Sequence, residues 1–250
     1  YAEMKARKNN GEMVMSIGKK KKFKRASVEY KASGAKAIFY RQLLEYKKEK
    51  WFIFSYMTLF CIGADILFLK VIDVSEFGSK SAVLLGIVAY LAILTGGYLG
   101  KWDKELKNPY LFLLPDSPAK KMWYATVMEH VKAAIDGAIL VLPLGIAWKV
   151  HPFHMVSCWL IYVFLQAIKL YTKVLIDSFL RNSLGETVKQ LVRLGVQGGI
   201  IGIGVLLAVV AVVLQNFNFA FFVILIYGMI MAVVIGLLTV SRFAIMEQYD

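Results

Sequence analysis

Two ladders of ionisable residues stand inside otherwise apolar stretches. Glu129, Lys132 and Asp136 fall at i, i+3 and i+7, and Lys169, Lys173 and Asp177 at i, i+4 and i+8. Both spacings place their members on one face of a helix. Such a face supports two kinds of chemistry: charges that neutralise one another, or a path for a proton or a charged substrate. Lys132 can pair with both acids of its ladder and Lys173 with Asp177, so self-pairing is the simpler outcome, and the two ladders can also pair across helices. Asp65 is an isolated carboxylate in another apolar run, expected to snorkel outward or to face a cavity.

Other reactive residue types form no set. His130 stands apart, and His151 and His154 lie three apart in "HPFH" without a neighbouring carboxylate, which is a weak metal pattern. There is no nucleophile elbow, no zinc-protease motif and no glycine loop ending in Lys-Ser or Lys-Thr. The run "GVQGGIIGIG" lacks both a preceding strand and the terminal lysine, so it is not a phosphate loop. Cys61 and Cys158 read as buried thiols. The expectation is a chain that is not itself an enzyme, with no metal site, no catalytic residue and no cofactor of its own.

The elements that carry these residues are legible from hydropathy. Hydrophobic residues make up 58% of the 250, gathered in blocks at 51–69, 81–100, 133–150, 155–176, 194–214 and 219–240. Each block is about the length a helix needs to cross a bilayer. The fold class expected is all-α: a polytopic membrane protein with six transmembrane helices. In this topology 27 of the 30 Lys and Arg fall on one side, leaving Lys70, Lys80 and Lys149 on the other. The positive-inside rule then puts both termini in the cytoplasm. A net charge of +13 concentrated there fits anionic lipid headgroups better than nucleic acid. In the fifth block Gly195, Gly198, Gly199 and Gly202, with Gly204 beyond, have the spacing that lets helices approach closely.

Two segments flank these blocks on the cytoplasmic side. Residues 1–34, centred on "KKKKFKR", are too polar to order themselves and read as a solvated linker. With a Tyr rather than a Met at its start, the chain reads as the second part of something longer. Residues 35–50 form an amphipathic helix in which Phe39, Leu43 and Tyr46 share a face. Arg41 and Glu45 make an i, i+4 pair on the other side. This helix is expected to lie along the inner interface as an elbow before the first span.

Between the second and third blocks runs "NPYLFLLPDSPAKKM", residues 108–122. Pro109, Pro115 and Pro118 fix the backbone turn. Asp116 or Ser117 is placed to cap the helix that starts near Pro118. Tyr110, Phe112 and Leu113 offer apolar anchors, and Lys120 and Lys121 can meet acidic groups of a partner. The segment is either an interfacial hinge or a surface on which another protein docks.

The order of elements, with "LLPDSPAKKMWYATVMEHVKAAIDG" at 113–137, resembles the permease module of the type-two ABC exporter superfamily. Together with "AKAIFYRQLLEYKKEK" it looks more closely like the ABC exporter family of Firmicutes, over about residues 35 to 242. The resemblance implies one six-span half of a permease in a bacterial cytoplasmic membrane. Its parts would be a basic linker at 1–34, an elbow helix at 35–50, a permease domain at 51–241 and a tail at 242–250. It also implies a coupling segment near 101–132 that docks a separate ATPase, with ATP and Mg held by that partner, and a second six-span half in the same or another chain. Two other readings stay open at this point. One is a proton-coupled secondary transporter using Glu129, Asp136 and Asp177; the other is a non-transporting sensor or assembly subunit.

Overall fold

The structure is a computed structural model that describes residues 33–48, 56–74, 79–94, 113–180, 186–214 and 216–249, with Phe52, Phe54 and Leu111 in addition. Among the described residues there are seven helices and no strand. In chain order they are α1 (Lys36–Lys48), α2 (Tyr56–Val71), α3 (Lys80–Leu94), α4 (Pro118–Ala147), α5 (Pro152–Phe179), α6 (Glu186–Leu214) and α7 (Phe217–Tyr249).

The last four are long and apolar enough to cross a membrane. The 15-residue α3 is apolar but shorter. The 16 residues of α2 rise about 24 Å, less than the ~30 Å of a hydrocarbon core. Six spans were expected; four helices of spanning length and two shorter ones are described.

The helices are polarised the wrong way round for water. On α2, Thr58, Cys61 and Asp65 are buried, while Leu59, Phe60, Ile62, Ile66 and Leu67 are exposed. Likewise α6 exposes Val205, Leu206, Val209 and Val213, and α7 exposes Val233 and Leu237. In water such surfaces would drive association. In hydrocarbon they cost nothing, and polar groups are the ones that must turn inward. The chain is a membrane protein.

The helix at the centre is α5, which lies against α3, α4, α6 and α7. One core cluster joins Leu84, Val88 and Leu91 of α3 to Leu140 and Leu144 of α4 and Tyr162 of α5. A second joins Ile168 and Tyr171 of α5 to Ile200 of α6 and Ile235 of α7. Glycines let α4 and α5 approach: a Cβ on Gly137 would stand 2.7 Å from the Tyr162 ring, and one on Gly145 2.7 Å from Met155.

The α4–α5 connection is short because α4 ends in a Schellman turn. The Val150 amide donates to the Gly145 carbonyl at 2.9 Å and the Lys149 amide to Ile146 at 3.1 Å. Lys149 adopts the left-handed conformation (φ 56°) that glycine usually fills there. Pro152 then opens α5, with the His151 ring accepting from the Phe153 amide at 3.2 Å.

Candidate functional site

The turn before α4 and the helix that brackets it are joined by a set of specific contacts. Leu111 is buried among Ala35, Ile38, Ala125 and Phe243, which ties the turn to α1, α4 and the end of α7. From there the backbone folds on itself: the Leu114 amide donates to Leu111 at 3.4 Å and the Asp116 amide to Leu114 at 2.8 Å. Pro118 takes the first helical position of α4, where its missing N–H costs nothing. Leu113, held between these fixed points, is 78% exposed. Pro115 and Ser117 are exposed beside it.

Asp116 does not cap α4 as the local sequence led us to expect. Ser117 occupies the cap position in an extended conformation but makes no side-chain cap bond. The Asp116 carboxylate turns instead to α1 and accepts the Ala35 amide at 2.7 Å. A long-range partner thus outcompetes the local one. It places a negative charge at the N-terminus of α1, where unsatisfied N–H groups and the helix dipole favour it. The Ala35 amide, ahead of the charges of Lys120 and Lys121, holds the carboxyl below its ordinary value of 3.8. Lys120 lies 3.6 Å away as an i, i+4 pair.

Gly34 completes the contact. Its φ of +61° suits glycine, and a Cβ there would come within 2.2 Å of the Asp116 carboxylate. No cue in the local sequence marks it, because the demand comes from a segment more than eighty residues away.

Below this point α1 runs beside α4. The Gln42 side-chain amide donates to the Ala125 carbonyl at 2.7 Å, and the Tyr46 hydroxyl to Glu129 at 2.9 Å. The partners of Ala35, Gln42 and Tyr46 lie 81, 83 and 83 residues onward. Near-constant offsets mean that the two helices run parallel and in register. The buried face of α1 is accordingly Ile38, Gln42 and Tyr46. Tyr46 belongs to both faces, whereas Phe39 and Leu43 are half-buried and Arg41 and Glu45 exposed. Gln42 escaped apolar periodicity because it enters the interface by satisfying a backbone carbonyl.

Other expected docking residues divide. Lys120 is exposed, but Lys121 is 0% exposed and is not available to a partner, since the helical turn that projects Lys120 outward sends Lys121 inward. Pro109, Tyr110 and Phe112 lie outside the described residues, as do residues 1–32 of the basic linker.

Four members of the charged ladders have a partner outside the ladders. Glu129 takes Tyr46, and Asp136 accepts from the Thr58 hydroxyl at 2.6 Å. Lys169 donates to the Ala92 carbonyl of α3, and Asp177 pairs with Arg193 of α6. Lys132 is buried and Lys173 half-buried within the same helices. Asp65 neither snorkels nor meets solvent: it is 5% exposed, and its Oδ1 has no hydrogen-bond partner. Arg193 and Thr58 are the partners that sequence reasoning missed. Arg193 shares its helix with Lys189, and nothing in its spacing singles out Asp177.

The histidines act as ties between helices. His130 bonds the Tyr171 hydroxyl at 2.8 Å and stacks on Trp123. His154 joins Ser81 of α3 and Asn218 of α7, each at 2.8 Å, and stacks on Phe221. Among the described residues no group of three His, Cys, Asp or Glu is arranged to hold a metal ion.

On Gly195, Gly198, Gly199 and Gly202 of α6 a Cβ would meet none of the described residues within 4 Å, so none of these four makes a close approach to them. Gly204 does, at 3.1 Å from the Tyr227 ring.

The turn presents an exposed apolar tip on a base fixed by a buried leucine, a carboxylate and a proline. Comparison with known proteins adds one finding. The sequence profile of a family described as "Putative ABC exporter" matches residues 1–247. No curated protein and no solved structure matches the chain.

Proposed function

The chain belongs to this family of ABC exporters, and on that premise we propose that it is a permease subunit whose turn before α4 docks a separate ATPase. In this reading α2 and α3 complete six spans with the four long helices, and α1 is the cytoplasmic helix that precedes the first of them. Both termini face the cytoplasm of a bacterial cell, as the distribution of Lys and Arg favours. ATP and Mg are bound by the partner. A second six-span half completes the translocation path, and the first 34 residues link to it or to the membrane surface.

The observation that carries this reading is Leu113. A leucine 78% exposed, at the tip of a turn held at both ends, packs little against the described residues of its own chain. Apolar side chains presented on rigid supports are the anchors that dominate protein interfaces. Closure of the ATPase on nucleotide would displace the turn, and α4 would carry that displacement into the membrane. The path walls are the helices; the chemistry of hydrolysis is the partner's.

Leu113→Glu tests the reading. The variant should insert and fold as the parent does, yet lose co-purification of the ATPase and lose export. Export at the parental level with the charged tip in place would refute a docking role.

A further inference from the structure

We propose that Asp116 is a positioning residue that makes α1 part of the moving unit, so that a displacement of the turn reaches the membrane through two parallel helices rather than through α4 alone. This rests on the reading of the turn as the docking surface. Three rungs join α1 to α4, at Ala35–Asp116, Gln42–Ala125 and Tyr46–Glu129, spaced along the whole length of α1. Gly34 leaves no slack at the first rung: its backbone abuts the carboxylate so closely that no side chain fits between them. Leu111, from the other limb of the turn, packs on Ala35 and Ile38. The turn therefore cannot shift without either carrying α1 along or breaking this set.

Where α1 leads is equally constrained. Beyond it α2 runs beside the same helix, held by Thr58 to Asp136 at 2.6 Å. The partner of Thr58 lies 78 residues onward, close to the offsets found along α1. One face of α4 is thus lined first by α1 and then by α2. A push on the turn arrives at the Thr58–Asp136 contact both along α4 and along α1.

The test uses the full chain with its ATPase in proteoliposomes. Docking is followed by crosslinking from Ala119→Cys, an exposed site outside the rungs; the native Cys61 and Cys158 are buried. Asp116→Ala should keep the ATPase docked and hydrolysing, while export per ATP falls by at least about fivefold, the scale of losing one cap. Asp116→Asn, whose amide oxygen can accept from Ala35, should recover most of the ratio. A merely structural role would lower hydrolysis and export in proportion. In a second variant, Tyr46→Cys with Glu129→Cys, a short thiol-bridging reagent should leave export intact, because the bridged helices already move together. An unchanged ratio in Asp116→Ala, or export abolished by the bridge and restored when it is cut, would overturn the inference. Failure of the ATPase to crosslink at position 119 in the otherwise parental protein would instead refute the docking reading.

Discussion

Thr58 donates its hydroxyl to Asp136 across 2.6 Å, fastening α2 to α4 through two buried polar side chains. Thr58→Val keeps the shape and removes the donor. Leaving a buried acceptor without its partner costs about 1–3 kcal/mol. Thermal unfolding in detergent should therefore show a lower midpoint for Thr58→Val and a nearly parental one for Thr58→Ser. Equal midpoints for the valine variant and the parent would mean that the bond contributes nothing.

Glycines that look alike in the sequence should behave differently. Gly137→Ala drives a methyl group into the Tyr162 ring, at 2.7 Å before relaxation. Overpacking of this kind costs about 1–3 kcal/mol. Gly199→Ala meets nothing within 4 Å and should leave the stability of the isolated chain unchanged or slightly raised. The pair of variants, compared by thermal unfolding, checks the packing of α4 against α5. If Gly199→Ile also leaves the isolated chain intact but weakens association between chains, the outward face of α6 serves another subunit.

Lys149→Gly should stabilise the protein. A non-glycine residue in the left-handed conformation costs about 1–2 kcal/mol, and Lys149 is exposed at φ 56°. The Schellman bonds from Val150 and Lys149 are backbone bonds and survive the substitution. A higher unfolding midpoint is the expected result; a lower one would show that the lysine side chain has a stabilising role of its own.

The contact between Asp116 and Ala35 sets a pH dependence whose sign follows from its geometry. The folded carboxyl titrates below its ordinary 3.8, because the charged form accepts the Ala35 amide. Its contribution is therefore fully present above that ordinary value and fades as pH falls through the lower folded-state value. Hydrogen exchange of the first-turn amides of α1, corrected for intrinsic rates, should show protection at pH 6 that declines below about pH 4. Asp116→Ala should lack this protection at pH 6 and show no such decline. A parental protein with flat protection across the range would contradict the capping role.

Hydropathy located the apolar stretches of the four long helices, because burial in hydrocarbon selects for long apolar runs whatever the tertiary arrangement. It placed the third block at 133–150, whereas α4 begins at Pro118. The first turns of α4, "PAKKMWYATVMEH", are mixed in polarity and leave no hydropathy signal, although α1 and α7 pack against them. Local turn chemistry found the right residue in Asp116 and assigned it to the wrong helix. The competing donor at Ala35 is distant in sequence, so no window around residue 116 reveals it. Gln42 and Lys121 show the same limit: both are buried, although residues of their types are mostly exposed.

The contact at Asp116 also imposes an order in time. Its carboxylate lies 81 residues after the amide it serves. At about 5–20 residues per second, a ribosome needs roughly 4–16 s to get from one to the other. Helices as short as the 13-residue α1 are marginal alone in water. During synthesis, then, α1 emerges without the carboxylate at its N-terminus and without Ala125 or Glu129 to receive Gln42 and Tyr46. Any slowing of translation across the intervening codons prolongs that interval and, with it, the exposure of Ile38 and Tyr46 to whatever else the nascent chain meets.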